Sequence, residues 1–326
     1  MSKHYAVISV GTNSTRVILA DLAPELPHVD VAQSIGTRIG EGLGQNGHLG
    51  EEPMQRTVDA IAQFHRAVRG HYLRLYAIAT SAVRRADNAD EFARRVEAEL
   101  GVPLHVLSGD EEAIASYRGA ITAFGALHGE RVGMIDTGGG STEYAVGSGP
   151  EPERFCSCEI GAVRLTEAVP ELAGDDGVVS LSTIERARAI ARKALEPIHE
   201  YPPIERLAIV GGTATTAAAI IRGRKGKIAS FTLTRASLQK VLVRLCGMTI
   251  KERKEVVGMK PQRADILPGG IIVLDTVMDI VKRDISVATT ADLLLGFLLQ
   301  QRDSGAIGAG QRQPVHAGSE TRRGHK

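Results

Sequence analysis

The sequence has almost no excess charge of either sign and no long apolar run. Its 39 Lys and Arg residues balance 38 Asp and Glu residues, which leaves a net charge near +1 over 326 residues. Proteins that bind nucleic acid or anionic membranes usually present concentrated basic charge, and a membrane-spanning helix needs about 20 apolar residues. We therefore expect neither partner. No secretory signal pattern precedes the first apolar segment, so we expect a cytoplasmic protein.

Aromatic residues and cysteines are also scarce. The sequence has no tryptophan, and its three cysteines are Cys156, Cys158 and Cys246. An odd number, with two cysteines one residue apart, suits neither a disulfide framework nor a four-ligand zinc site, so we interpret them as ordinary thiols. The ten histidines are scattered and form no H-E-x-x-H pattern. We assign none of them a catalytic role.

One stretch of the sequence occurs twice: "VISVGTNSTR" at residues 7–16 resembles "MIDTGGGSTE" at 134–143. After each copy, β-rich and helical segments alternate, which is typical of an α/β protein. Because the chain is longer than a domain with a single hydrophobic core usually is, we predict two domains, residues 1–128 and 129–302. The last helix of the second domain could pack back on the first domain. Residues 303–326 lack apolar periodicity, and we predict a disordered tail there.

The turn in the second copy, "DTGGGST", has the composition of an anion-binding loop. Residues without a Cβ atom let consecutive backbone N–H groups curl inward around an anion of phosphate size. The donors are Gly138, Gly139, Gly140 and Ser141. Asp136 ends an apolar strand and is placed to hold a hydrated Mg²⁺ against the phosphate, and Glu143 begins the outgoing strand. The alternative from these residues alone is an ordinary tight hairpin.

Two other segments have a similar character. The turn "GTNS" of the first copy consists of Gly11, Thr12, Asn13 and Ser14. The segment "VGGTATT" leads from a strand into a helix that starts at Gly211 and Gly212, and helix N-termini attract anions. Neither a P-loop motif nor a G-x-G-x-x-G motif leading into a helix is present. We therefore predict a strand-turn-strand phosphate site that is used twice.

A candidate general base lies in the segment "VLSGDEEAIASYRGA". Ser108 and Glu111 have the spacing of a helix capping box, and acidic residues in a first turn also favour the helix dipole. Those two effects alone would account for the acids. Alternatively, Glu112 points into a cleft and orients a water molecule for attack on phosphorus.

Two arginines follow the strand that ends in "AIATSA". Arg84 and Arg85 are candidate phosphate ligands, because a guanidinium group matches the geometry and spread charge of a phosphate. The alternative is a solvated start of a helix. The motif alone does not decide between them.

Taken in order, these motifs resemble the exopolyphosphatase / guanosine pentaphosphate phosphohydrolase (Ppx/GppA) family of the actin, Hsp70 and sugar-kinase superfamily. The similarity includes "VISVGTNSTRVILADL", "AIATSAVRRADNADEF", "VLSGDEEAIASYRGA", "MIDTGGGSTEYAVG" and "VGGTATTAAAI". The chain resembles the short, two-domain form. The resemblance implies two ribonuclease-H-like (actin-like ATPase) domains with mixed five-stranded sheets flanked by helices, and an active site in the cleft between them.

The resemblance also implies hydrolysis of a terminal phosphate from inorganic polyphosphate or guanosine pentaphosphate, with Mg²⁺ or Mn²⁺. Glu112 matches the catalytic glutamate of the family, and Arg84 matches an arginine that reaches toward phosphate. Asp136 and Glu143 match the acids that position metal and water. The family usually has an aspartate where this chain has Ser9, so we expect the metal to depend on Asp136 and Glu143. We also expect a homodimer.

Three hypotheses for the function follow from the sequence. The first is a metal-dependent hydrolase of phosphoanhydride bonds. The second is a sensor that binds polyphosphate or a nucleotide with little turnover, having lost the carboxylate at Ser9. The third is a phosphotransferase, because the superfamily includes kinases. The presence of Glu112, Asp136 and Glu143 favours the hydrolase.

Overall fold

A computed structural model of the chain describes residues 4–22, 27–125, 127, 129–174, 177–224 and 230–305. Most of the segment predicted to be a disordered tail, residues 306–326, lies outside the described residues. Asp303 at its start belongs to the last helix. None of the described helices is long and apolar enough to span a membrane.

The first half of the chain forms a mixed five-stranded sheet in the order β3-β2-β1-β4-β5. Its strands are β1 (His4–Val10), β2 (Thr15–Asp21), β3 (His28–Ile35), β4 (Arg74–Ala79) and β5 (Leu104–Val106). β1 to β3 pair antiparallel, whereas β4 and β5 run parallel to β1. The helices of this half are α1 (Leu43–Asn46), α2 (Glu51–Val68), α3 (Ser81–Arg84), α4 (Ala89–Leu100) and α5 (Gly109–Ile121).

The second half forms a mixed sheet in the order β10-β11-β9-β6-β7-β8. Its strands are β6 (Val132–Thr137), β7 (Thr142–Gly147), β8 (Arg154–Cys158), β9 (Arg206–Val210), β10 (Ser230–Thr234) and β11 (Ile285–Thr289). The α/β class with two mixed sheets flanked by helices is as predicted. This sheet, however, has six strands rather than five, because β10 adds an edge strand beside β11. Only Leu233 of β10 is buried, so the segment has little hydrophobic pattern to reveal it.

Seven α-helices are described in the second half of the chain. They are α6 (Ala162–Ala168), α7 (Leu181–Ala194), α8 (Gly211–Arg222), α9 (Arg235–Cys246), α10 (Ile250–Glu255), α11 (Leu267–Ile280) and α12 (Leu293–Asp303). Short 3₁₀ turns occur at Thr122–Phe124, Pro170–Ala173, Glu196–Glu200 and Pro261–Arg263. α11 is buried along most of its length and contacts α6, α7, α8 and α9.

The two copies of the repeated stretch form equivalent hairpins. β1 pairs with β2 so that Ser9 faces Arg16, and β6 pairs with β7 so that Asp136 faces Glu143. In both turns the N–H of the first glycine donates to the carbonyl oxygen of the serine three residues on, at 3.1 and 3.0 Å. The sequence repeat is therefore a structural repeat with the same register, and the acids of the second copy lie where the first has a serine and an arginine.

One helix from each half packs on the sheet of the other half or at its side. α5 contacts β6, β7, β8 and β9, and Tyr117 of α5 belongs to an apolar cluster with Met134 of β6. α12 contacts β1 and β2, and Leu298 of α12 clusters with Val7 of β1. The two helices also contact each other. They therefore connect the two halves.

Glycine allows α5 and α12 to approach within backbone contact. A Cβ atom on Gly296 would overlap the carbonyl of Ala115, and a Cβ atom on Gly119 would overlap the backbone of Asp292. Backbone atoms cannot move aside as a flexible side chain can. A larger residue at either glycine must therefore push the helices apart.

Substitution Gly296→Ala should destabilise the protein by about 1–3 kcal/mol, the usual range for an overpacked core. This loss should occur although alanine favours a helix over glycine by about 1 kcal/mol. Gly149→Ala is the matched control, because a Cβ atom there meets no heavy atom within 4 Å, and it should change the unfolding free energy by less than about 1 kcal/mol. Urea unfolding measures both. A Gly296→Ala variant as stable as the wild type would contradict the close helix contact.

Candidate active site

A cleft of about 980 Å³ lies between the two halves, with both glycine turns on its walls. Helix α5 adds a carboxylate to the lining, and the first turn of α8 adds two glycines. The predicted site residues that line the cleft are Gly11, Thr12, Asn13, Ser14, Glu112, Asp136, Gly138, Gly139, Gly140, Ser141, Glu143, Gly211 and Gly212. Residues far apart in the sequence therefore converge on one cavity.

The two turns touch each other across the cleft. A Cβ atom on Gly139 would lie 2.9 Å from the Cβ of Thr12, and one on Gly140 would lie 3.0 Å from Thr12 Oγ1 and 2.7 Å from Ser81 Oγ. Real Cβ atoms do not make such contacts, so glycine at these two positions allows the turns to meet. Ser81 is 1% exposed, and none of the described residues hydrogen-bonds its hydroxyl group. That hydroxyl is available to an anion held between the turns.

The start of α8 packs against one acidic and one basic side chain of the cleft. Gly211 has φ +89°, and a Cβ atom there would lie 2.7 Å from Asp136 Oδ1. A Cβ atom on Gly212 would overlap the guanidinium group of Arg263. These two glycines let a carboxylate and a guanidinium group approach the N-terminus of the helix.

Glu112 is buried beside the cleft, and its pKa is raised to about 7. Burial is the main cause, and the charge of Asp136 adds to it. Arg84 opposes the shift, because its Nη1 donates to Glu112 Oε2 at 2.8 Å. Glu112 therefore changes protonation state near neutral pH, as an efficient general base does.

Arg84 is not among the residues that line the cleft, and its guanidinium group is paired with Glu112. Its Nη1 also donates to the carbonyl oxygen of Leu107 at 2.7 Å, so its guanidinium group neutralises Glu112. Its contact with phosphate stays a prediction.

The neighbouring capping box is present as the spacing indicated: Glu111 N donates to Ser108 Oγ at 3.1 Å and Ser108 N to Glu111 Oε2 at 2.8 Å. Adjacent glutamates thus divide the two roles, one capping the helix and the other facing the cleft.

Asp136 is half-buried, and its pKa is raised to about 6. Burial contributes most, followed by the negative charge of Asp292. The Ser116 hydroxyl group donates to Asp136 Oδ2 at 2.7 Å and lowers the pKa, as do the charges of Arg16 and Arg263. The carboxylate is thus fixed in orientation but incompletely neutralised.

Glu143 is 1% exposed, and its pKa is raised well above its ordinary value. Burial is again the largest cause, followed by repulsion from Glu112 and Asp136. The hydroxyl group of Ser157 on β8 donates to Glu143 Oε1 at 2.8 Å. Three acids therefore lie close enough in the cleft for the charges of Glu112 and Asp136 to act on Glu143.

The donor chemistry of this region fits Mg²⁺ held partly by other ligands. Within the described parts of the chain, no group of three or more His, Cys, Asp or Glu side chains is arranged to hold a metal ion. Mg²⁺ usually binds one or two carboxylates and completes its shell with water and phosphate oxygens. Asp136 and Glu143 are cross-strand partners that both line the cleft. They could supply those carboxylates, whereas Ser9, at the equivalent place in β1, brings no charge.

Three cations in the cleft were not predicted as site residues. Arg16 Nη2 lies 2.6 Å from Asp292 Oδ2, and Arg263 Nη2 donates to Ser14 Oγ at 3.5 Å. Burial and the charge of Arg16 lower the pKa of Arg263 to about 10. Lys260 is exposed at the cleft mouth, yet the surrounding protein and these two arginines lower its pKa to about 8. The segment "MKPQRAD" has no glycine turn or helical pattern that would mark it as part of a site.

Comparison with known proteins gives consistent matches. A sequence profile of the Ppx/GppA phosphatase family matches residues 22–293. Exopolyphosphatase 2 of Mycobacterium tuberculosis (strain CDC 1551 / Oshkosh) is 34% identical over 287 residues, which cover 83% of this chain and 88% of that protein. The crystal structure of an exopolyphosphatase from Cytophaga hutchinsonii ATCC 33406 has a TM-score of 0.83 at 25% identity, covering 92% of this chain and 98% of that one. The Aquifex aeolicus PPX-GPPA enzyme has a TM-score of 0.75 at 26% identity, covering 91% and 99%.

Substitution Asp136→Asn should stabilise the protein at pH 8 when no divalent ion is present. The folded carboxyl group keeps its proton up to about pH 6, whereas the unfolded one loses it near pH 3.8. The wild type therefore loses stability as pH rises through this window, and asparagine does not. Two pKa units correspond to about 3 kcal/mol at most, and the difference should vanish near pH 4.

Urea unfolding at pH 4 and pH 8 in EDTA measures this effect. Asp279→Asn is the control with the opposite sign, because the hydrogen bond from Arg192 and the charge of Arg235 lower the pKa of Asp279. That variant should be less stable than the wild type at pH 8. An Asp136→Asn variant that loses stability at pH 8 would show that the carboxylate is already compensated.

Proposed function

The chain belongs to the Ppx/GppA phosphatase family, as its motifs indicated, and we propose that it hydrolyses terminal phosphoanhydride bonds of inorganic polyphosphate and releases phosphate. The observation that carries the proposal is the pair of equivalent glycine turns in contact across one cleft, with Glu112 beside them. Two of the similar proteins bear the name exopolyphosphatase, which supports polyphosphate as the substrate.

The terminal phosphate would bind between the two turns. Gly139 and Gly140 of the second turn lie against Thr12 of the first, and the hydroxyl groups of Thr12 and Ser81 adjoin Gly140 there. Arg16, Arg263 and Lys260 would face the phosphates that follow along the chain. Phosphoryl transfer needs mainly positioning and charge stabilisation from the protein, and this arrangement supplies both.

Glu112 would orient the attacking water and accept its proton. Its pKa of about 7 leaves a useful carboxylate fraction at neutral pH and makes the protonated form accessible. Arg84 holds Oε2 of Glu112, which fixes the direction of the carboxylate. A positioned base of this kind typically contributes about 10²–10⁴ in rate.

Asp136 and Glu143 would hold the divalent ion, Mg²⁺ or Mn²⁺. When bound, such an ion supplies positive charge that offsets developing charge on the phosphate oxygens. Ser116 and Ser157 each donate a hydrogen bond to one of these carboxylates and thereby keep the acids oriented. The binding of substrate and ion together would remove the electrostatic repulsion that raises the pKa of both acids.

Guanosine pentaphosphate is the second candidate substrate, and apolar residues in the cleft lining support it. The cleft lining also includes the apolar residues Val29, Ala219, Met259 and Leu295. A purine ring would bury its faces against such surfaces. The cytoplasmic homodimer expected from the sequence also stays a prediction.

Substitution Glu112→Gln should reduce kcat for phosphate release by about 10²–10⁴-fold, because the amide cannot accept the proton. Glu111→Gln is the matched control at the next position. Its side chain caps α5 and does not line the cleft, so activity should stay within about threefold, as expected when no group in the transition state is touched. Phosphate release should be measured with long-chain polyphosphate, tripolyphosphate, guanosine pentaphosphate and ATP.

The panel also separates the hypotheses. Tight binding of polyphosphate or nucleotide without phosphate release by the wild type would support the sensor. Transfer of phosphate to an added acceptor would support the phosphotransferase. A Glu112→Gln variant within a few-fold of the wild type would contradict the base assignment.

Activity should disappear in EDTA and return with Mg²⁺ or Mn²⁺. Substitution Ser9→Asp should lower the Mg²⁺ concentration needed for half-maximal activity, because a second strand end would then bring a carboxylate to the ion. Phosphate release against Mg²⁺ concentration measures this. Ser34→Asp at the outer part of the cleft controls for added charge. Full activity in EDTA would contradict the metal requirement, and an unchanged Mg²⁺ requirement in Ser9→Asp would show that the first turn does not face the ion.

A further inference from the structure

Two cysteines flank Ser157, whose hydroxyl group donates a hydrogen bond to Glu143. Cys156, Ser157 and Cys158 are consecutive in β8, and β7 pairs with β8 so that Glu143 faces Ser157. Alternate residues of a strand point to opposite sides of the sheet. The two thiols therefore share one side, while the Ser157 hydroxyl group on the other side donates to Glu143.

A disulfide between the two cysteines requires β8 to bend. In an extended strand, both the Cα atoms and the same-side Cβ atoms of residues two apart are separated by about 6.6 Å. That distance lies within the Cα range of roughly 4.4–6.8 Å seen in disulfides, but beyond their Cβ range of roughly 3.5–4.5 Å. The Cys158 thiol is near enough to the Cys156 thiol to affect its pKa. β8 is also the edge strand of its sheet among the described residues, so one side of the strand is free to deform.

The surroundings differentiate the two sulfur atoms. Hydrogen bonds from the Cys158 thiol and the Tyr201 hydroxyl group lower the pKa of Cys156 to about 7 against an opposing effect of burial. The hydrogen bond to Cys156 and burial raise the pKa of Cys158. Cys156 is half-buried, whereas Cys158 is 5% exposed. Thiolate character and access determine which cysteine an oxidant attacks first, and both favour Cys156.

We propose that Cys156 and Cys158 form a reversible disulfide that lowers the hydrolytic activity by bending β8 at Ser157. Hydrogen peroxide is the oxidant considered. The Cys156 sulfur attacks one peroxide oxygen, an S–O bond forms, the O–O bond breaks, and hydroxide leaves and takes up a proton. The Cys158 sulfur then attacks the sulfenic sulfur, the S–S bond forms, and the hydroxyl group leaves as water with the Cys158 proton. Two thiols are oxidised and one peroxide becomes two waters.

The bend would reach the acids through Ser157. Closing the bond shortens the separation of the flanking Cα atoms toward about 5.5–6 Å, which displaces the residue between them. Ser157 is 2.8 Å from Glu143, and a Cβ atom on Gly109 at the start of α5 would lie 2.6 Å from its Cβ. α5 carries Glu112. A displacement of Ser157 therefore affects an acid of β7 and the start of the helix that positions the base.

The test treats the full chain with hydrogen peroxide, then with dithiothreitol. Mass spectrometry of the peptide that contains both cysteines should show the loss of two hydrogen atoms, and Cys246, which is buried, should stay reduced. Phosphate release from polyphosphate should fall about 10–100-fold, the effect of a displacement near 1 Å in an active site, and dithiothreitol should restore it. Cys156→Ser and Cys158→Ala should keep basal activity and resist peroxide.

The effect on activity depends on the proposed hydrolysis, whereas the disulfide itself does not. If the reduced protein releases no phosphate from any substrate, the proposed function fails and the mass measurement still decides whether the disulfide forms. Absence of the internal disulfide, or a disulfide between two chains instead, would overturn the proposal. A complete internal disulfide with unchanged phosphate release would also overturn it, because Ser157 would then not transmit the bend.

Discussion

The contact between the two glycine turns is the constraint on which the site depends. Thr12 of the first turn lies against Gly139 and Gly140 of the second at distances that leave no room for a Cβ atom. Each hairpin alone is a common local structure. Only when both halves of the molecule hold their turns together does a single cleft exist that both turns line. The packing of the two halves is therefore part of the chemistry of the site.

The acids around this space are costly without a ligand. Glu112 and Glu143 are buried and Asp136 is half-buried. The pKa of each is raised, and the charge of Asp136 adds to the shifts of both glutamates. Burying carboxylates with incomplete compensation opposes folding, and such sites commonly trade stability for function. Serine hydroxyl groups and nearby arginines orient the acids and relieve part of the repulsion. In the function proposed here, the remaining repulsion would favour the binding of a cation that arrives with a phosphate.

Local features of the site could be predicted from the sequence, and distant contacts could not. The glycine turns, the capping box at Ser108 and the cleft-facing Glu112 each depend on a few neighbouring residues. Lys260 and Arg263 lie in a segment without a glycine turn or a helical pattern and reach the site only through the tertiary fold. The pairing of Arg84 with Glu112 depends on how α3 and α5 pack, and β10 is recognisable only beside β11. The site residues and the metal stay predictions until they are tested by substitution.

α5 and α12 each pack on the sheet of the other half, and this affects how the protein folds during synthesis. As the chain leaves the ribosome, β1 and β2 emerge early, but the helix that covers one face of them emerges last among the described elements. α5 likewise lacks its supporting sheet until β6 to β9 follow. Contacts so distant in sequence slow folding and leave apolar surface exposed for longer. The face of β1 and β2 that packs on α12 therefore stays uncovered until that helix has emerged, although the duplicated hairpins make the halves look separable.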